Sequence, residues 1–146
     1  MARPVTHSLV QALRVVPAFA TLGDNTLLRV VGASANLFWS AGSCIFEKGT
    51  PGDALYVVLS GKVGIIDEID GEEVEIARID RGDFFGEFSL LMHSSHSKTA
   101  RALEDTELMV LPKEPLQELL AANPKLGDHF RRKVEERFPA STPKLS

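Results

Sequence analysis

The sequence predicts a mixed α+β domain: an antiparallel β-roll, jelly-roll-like, flanked by N-terminal and C-terminal helices. Three observations carry this. Apolar residues recur at helical spacing near both ends of the chain. Between Asn36 and Pro112, short β-forming runs are punctuated by Gly42, Gly49, Gly52, Gly61, Gly64, Gly71, Gly82 and Gly86. Among those runs one alternates polar with apolar and another is continuously apolar, the patterns of a half-buried strand and of a strand covered on both faces.

The N-terminal segment, residues 1–34, reads as two short helices. Leu9, Val10, Leu13 and Val16 lie on one face of the first, which Pro17 stops. A Pro-Ala-Phe turn follows, Pro17 to Phe19. Asp24 then stands where a side chain would cap the second helix, whose expected buried face holds Leu27, Leu28, Val30 and Val31.

Residues 35–112 form the roll. Strands are expected at Leu37–Trp39, Ser43–Phe46, Ala54–Ser60, Lys62–Asp67, Glu73–Ile79, Lys98–Ala102 and Thr106–Leu111, with Phe84 and Phe85 ending another. Leu55 to Leu59 is the continuous run, and Glu73 to Ile79 the alternating one. Asp70-Gly71 between two of them is a hairpin turn. The acidic residues around it, Asp67, Glu68, Asp70, Glu72, Glu73 and Glu75, depart from a calcium-loop order and suit a solvated edge that discourages sheet-to-sheet association.

Helix returns over residues 113–138, in two pieces that start near Pro115 and Pro124. In the second, Leu126, Phe130, Val134 and Phe138 make one apolar stripe that faces the roll or a partner, and a homodimer could form through it. Residues 139–146 have the composition of a tail. All of this amounts to one domain.

Composition narrows the function. With 146 residues the chain is long enough for a core without staples. It is 44% hydrophobic and 25% charged, with 20 acidic against 16 basic side chains. A net charge of −4 offers no basic excess for phosphate contacts, so nucleic acid is not the expected partner. The single cysteine, Cys44, makes no internal disulfide and is read as core. The uncharged stretch from Val30 to Phe46 is too short and too polar to span a bilayer. The N-terminus lacks an apolar run with a small-residue cleavage site, so a cytoplasmic location is expected.

The chemistry concentrates in Asp83 to Ala102, DFFGEFSLLMHSSHSKTARA. Gly86 permits a sharp turn, and Glu87 to Leu91 look like one turn of helix. A helix entered through glycine presents unpaired backbone N–H groups, which is how proteins hold phosphate. A Glu87 carboxylate there would repel phosphate but accept hydrogen bonds from sugar hydroxyls. Alone, this pair is weak evidence. The wider pattern is stronger: Glu47-Lys48-Gly49-x-x-Gly52-Asp53-x-x-Tyr56-x-Val58-x-x-Gly61-x-Val63, then Gly82-Asp83-x-Phe85-Gly86-Glu87, then Thr99-x-Arg101-Ala102. It resembles the cyclic nucleotide-binding domain over about Phe19 to Phe138.

The resemblance implies a phosphate-binding cassette at 85–102. Gly86, Glu87, Phe88 and Ser89 would meet the cyclic phosphate and ribose, Glu87 taking the 2′-hydroxyl, with Ser97 beside the phosphate. Gly49, Gly52, Gly61 and Gly82 match structural turns. The ligand is cyclic AMP or cyclic GMP, with cyclic AMP expected first and Ser97 compatible with either.

One departure stands out. The family's phosphate-pairing arginine is replaced by His96. Imidazole lacks the permanent planar charge of a guanidinium. Losing a charge-assisted pair costs on the order of 1.5–3 kcal/mol, a roughly ten- to hundredfold weaker complex. The phosphate could itself protonate His96, so that binding weakens as pH rises. Lys98 could supply the charge if strand alternation puts it on the face of His96; a solvent-facing Lys98 is the plainer expectation. Binding could also be lost, with the fold kept for interactions.

Other features carry less. His93 and His96 lie near Glu87 but not at a metal-site spacing, and no catalytic constellation is recognisable, so no enzyme, metal or cofactor is expected. Arg131, Arg132, Lys133 and Arg137 share the last helix with Glu135 and Glu136, a mixed-charge exposed face. Phe38 and Trp39 are read as packing. The expected function is a stand-alone cyclic nucleotide sensor, outside any membrane, that signals to an unknown effector protein by moving its C-terminal helices. The alternative is a degenerate pocket in an interaction module.

Overall fold

The structure, a computed structural model, describes residues 5–14, 16–86 and 95–137. Helix α1 (Val5–Arg14) leads through a short 3-10 turn (Pro17–Phe19) into α2 (Asp24–Ala33). The strands follow: β1 (Ala35–Trp39), β2 (Cys44–Phe46), β3 (Ala54–Ser60), β4 (Lys62–Ile69), β5 (Glu72–Asp80), β6 (Phe84–Phe85), β7 (Thr99–Ala102) and β8 (Thr106–Pro112). Helices α3 (Lys113–Ala122) and α4 (Pro124–Arg137) close the described chain. The strands form two four-stranded antiparallel sheets, ordered β1-β8-β3-β6 and β2-β7-β4-β5. This is the expected helix-flanked β-roll.

Strand β3 explains why there are two cores. Its Leu55 and Val57 face the helices, packing with Leu13, Phe19, Leu27, Met109, Leu116 and Phe130. Its Ala54, Tyr56 and Val58 face the other sheet, packing with Val63, Ile65, Ile79, Phe85, Ala100 and Leu108. Alternate side chains of a strand point to opposite faces, so a strand between two cores must be apolar at every position.

Turn chemistry sets the registers. Ile69 pairs with Glu72, leaving Asp70 (φ 54°) and Gly71 (φ 81°) as a two-residue hairpin with both central residues left-handed. Gly61, between β3 and β4, sits at φ 93°, and a Cβ there would lie 2.4 Å from the Thr106 hydroxyl oxygen. No other residue fits that turn without displacing β8.

Several local expectations are corrected. Gly23 holds the N-cap position of α2, while the Asp24 carboxylate pairs with Arg14. Arg14 also donates to the carbonyls of Ala20 and Leu22, clasping the turn between the helices. Leu28 is 42% exposed, because the buried stripe of α2 is Leu27, Val30 and Val31 at i, i+3 and i+4. Of the alternating run in β5, only Ile79 is buried, and Val74 and Ile76 remain exposed. The β4–β5 ladder slips by one residue here, passing from Ala77 to Glu75 and skipping Ile76, and β7, which pairs only with Val63 to Ile66, no longer flanks the outer β4–β5 ribbon. Cys44 is exposed at the sheet edge rather than core. Trp39 packs against the inter-sheet core, but Phe38 is 64% exposed. Leu126 and Phe130 bury the first half of the C-terminal stripe against the roll; Phe138 and the expected tail lie outside the described residues.

Candidate functional site

The site is built where β6 ends and β7 begins. Gly86 follows β6 with φ 90°, and a Cβ on it would come 3.0 Å from the Ala54 carbonyl oxygen and from the Tyr56 ring. Only glycine turns there without pushing on β3. Glu87, Phe88 and Ser89 lie outside the described residues, as do the expected helical turn to Leu91 and His93.

The chain re-enters beside the loop after β2. Pro51 bridges Ser95, the Gly49 N–H donates to the His96 carbonyl at 2.8 Å, and the His96 N–H donates to the Thr50 carbonyl at 2.8 Å. The Lys48 N–H then donates to the Thr99 hydroxyl at 3.1 Å. These bonds continue the β2–β7 pairing past both strand ends, which positions His96 from its own backbone.

The His96 side chain is buried, 4% exposed. Its ring lies flat on Phe46, with centroids 3.5 Å apart and planes 6° from parallel. Phe46 in turn meets Tyr56 at 5.5 Å and Phe85 at 5.9 Å, and those two stack at 5.0 Å. The imidazole is thus one plate of an aromatic cluster continuous with the inter-sheet core. Burial pushes its pKa below the usual histidine value, opposed in part by the Asp53 carboxylate. Burial also raises the Tyr56 pKa, and Asp53 adds to that shift.

Ser97 and Lys98 lie in a bend, because β7 starts only at Thr99. Strand alternation therefore does not relate Lys98 to His96. Lys98 is not solvent-facing either. Its ammonium lies 3.6 Å from the Asp67 carboxylate, with side-chain exposures of 16% and 23%. Arg101 pairs with Glu73 at 2.8 Å, an outward bond across the second sheet. Both permanent cations between 85 and 102 therefore carry carboxylate partners, and the sequence places no Lys or Arg between 87 and 94.

Sequence reasoning singled out His96 and Lys98, gave Phe46 no role and read Asp67 as part of a solvated acidic edge, whereas its side chain is 23% exposed and pairs with Lys98. Asp67 did carry a signal. It continues the alternation of Val63 and Ile65, so a charge falls on the face that begins as core. Phe46 carried none, being one of several aromatic residues at strand ends. Among the described residues no group of three metal-ligating side chains converges.

Strand β6, which leads into Gly86, packs on the C-terminal helix α4. Phe84 in β6 packs on Phe130 of α4 with ring centroids 4.7 Å apart, and Phe130 meets Phe19 edge-on at 6.1 Å. Lys133 of α4 pairs with Asp83 at 3.3 Å. No described helix is long and apolar enough to cross a membrane.

Comparisons with known proteins agree with this fold. The family description "cyclic nucleotide-binding domain" matches residues 37–123. The cyclic AMP receptor protein of Thermus thermophilus is 42% identical over 98 residues, covering 66% of this chain and 45% of that protein. The crystal structure of Thermus thermophilus catabolite activator protein superposes with a TM-score of 0.74 at 31% identity, over 84% of this chain and 58% of that one. A regulatory subunit of a cAMP-independent protein kinase A from Trypanosoma brucei shares the fold at a TM-score of 0.81 and 21% identity, over 89% of this chain and 47% of that one. The chain spans about half the length of such relatives. From the matched residues and the two-sheet roll, the chain belongs to the cyclic nucleotide-binding domain family.

Proposed function

We propose that this domain is a regulatory sensor and not an enzyme. A cyclic nucleotide, cyclic AMP ahead of cyclic GMP, enters the cassette of residues 85–102, contacting Gly86, Glu87, Phe88, Ser89 and Ser97. The helices after Pro112 then shift and present a new surface to an effector protein in the cytoplasm. One observation carries this reading: the 4.7 Å packing of Phe84 on Phe130. Phe84 lies two residues before Gly86, so a change in the cassette's entry turn displaces a ring on which α4 rests. Packed interiors transmit such shifts rather than absorb them.

A second reading is favoured by the charges. With His96 buried against Phe46 and Lys98 held by Asp67, a cyclic phosphate gains a cationic side-chain partner from these two residues only by protonating an occluded imidazole or breaking an ion pair. The domain would then be an interaction module whose pocket stays empty. The fold by itself does not require cyclic AMP dependence, since a regulatory subunit of a cAMP-independent protein kinase A from Trypanosoma brucei shares it.

Calorimetric titration with cyclic AMP and cyclic GMP at pH 6 and pH 8, beside a His96→Arg variant, separates the two. Micromolar binding by the wild type supports the sensor. Absence of binding by the wild type with binding by the variant establishes the disarmed pocket. Absence of binding by both rejects the cassette as a cyclic nucleotide site.

A further inference from the structure

The two sheets have four edges, and three of them are defended against pairing with another strand. Strand β5 carries Glu72, Glu73, Glu75, Arg78 and Asp80. Strand β2 has three residues and a register shift between Cys44 and Phe46. Strand β6 has two residues. Charge, irregularity and shortness are the ordinary ways of blunting an edge.

Strand β1 has none of them. Its five residues, Ala35–Trp39, run in unbroken register against β8 on one side. No described strand lies on the other side. It has no charge, proline or glycine, and its two largest exposed side chains, Leu37 at 46% and Phe38 at 64%, lie in the middle. A row of backbone N–H and C=O groups beside such side chains is a template for strand addition.

We propose that β1 is the interface through which two copies of this chain pair, β1 against β1 in antiparallel register, joining their first sheets into one eight-stranded sheet. Charge selects this occupant. The chain is uncharged from Val30 to Phe46, so β1 brings no like charge against itself. Two copies of β5 would set glutamates against glutamates. A two-fold axis beside Leu37 places Leu37 against its copy, Asn36 against Phe38 and Ala35 against Trp39. The contact is isologous, and the far edge of each sheet is the two-residue β6, so assembly stops at the dimer. A contact of one short strand falls below the roughly 1,200 Å² of a standard interface, so the dimer is weak.

Sedimentation equilibrium of the whole chain, taken to about 0.5 mM to reach weak association, tests this. The expected result is a monomer–dimer equilibrium weakened at least tenfold by Phe38→Lys and unchanged by Val74→Lys on the β5 edge. Both side chains are exposed, so neither variant threatens folding. A Leu37→Cys variant in a Cys44→Ser background should cross-link on mild oxidation, since Cα atoms of antiparallel partners lie within disulfide reach, about 4.5–5.5 Å. A monomer at every concentration, a dimer indifferent to Phe38→Lys, or growth beyond the dimer would each overturn the proposal. Indifference to Phe38→Lys with sensitivity on α4 would assign the dimer to the C-terminal helix instead.

Discussion

The imidazole of His96 lies flat against the phenyl ring of Phe46, with centroids 3.5 Å apart and planes 6° from parallel. The stack makes His96 part of the aromatic packing with Phe46, Tyr56 and Phe85. The same residue was the candidate phosphate contact, so its packing and its proposed ligand role compete.

Removing the stack should release the histidine. Phe46→Ala is expected to cost about 2–3 kcal/mol, somewhat less than a fully buried phenylalanine. It should also raise the His96 pKa toward 6.5 by lessening its burial, the main cause of the shift. Denaturant unfolding and NMR titration of the imidazole measure both. An unchanged titration would show that Phe46 does not occlude the ring.

Stability should depend on pH through the same group. Burial holds the folded pKa below the ordinary histidine value of 6.5, so as pH falls past that value the unfolded chain takes up this proton first. The stabilisation is present above about pH 6.5 and is lost as pH falls from there through the folded pKa. Comparing unfolding free energies of the wild type and His96→Phe between pH 5 and 7.5 isolates the effect from the other histidines. The variant should show the flatter profile, and parallel profiles would refute the assignment.

If a cyclic phosphate enters, Asp67 competes with it for Lys98. Asp67→Asn should therefore strengthen cyclic AMP binding several-fold, whereas Lys98→Met should weaken it. Calorimetry on the pair decides the matter: equal affinities in both variants would mean that Lys98 never faces the ligand.

The proposed link between cassette and helices runs through Phe130, fully buried and in ring contact with Phe19 and Phe84. Phe130→Ala should destabilise the fold by about 3–4 kcal/mol and raise amide exchange in α4 before the strands. Exchange rising uniformly across the chain would speak against α4 as a separately movable unit.

Two glycines with similar backbones separate strain from crowding. Gly42 (φ 88°) has open space around its Cβ position, whereas at Gly61 (φ 93°) a Cβ would meet Thr106 and the Asp105 carbonyl oxygen within 2.5 Å. Gly42→Ala should cost about 1–2 kcal/mol for the left-handed backbone. Gly61→Ala adds an overpacking cost of about 1–3 kcal/mol. Thermal melts showing equal losses would falsify the crowding argument.

What the sequence determined by itself is what neighbouring residues decide between them. The strand positions follow from β-forming runs closed by glycines, and the Asp70-Gly71 hairpin from the ease with which those two residues take positive φ. The double burial of β3 follows from its unbroken apolar run. The family was legible because the spacing of turns and cassette residues survives in linear order. What only the tertiary structure decided depends on register between distant segments. Asp67 meets Lys98 because β7 pairs with β4 no further than Ile66 and Thr99, so both side chains fall just past the end of that ladder. Phe46 covers His96 because β2 and the cassette's return are laid side by side by backbone bonds. Val74 and Ile76 stay exposed on the outer β4–β5 ribbon, where the ladder slips past Ile76. Alternation tells which side chains share a face; only the neighbouring strands determine whether anything covers it.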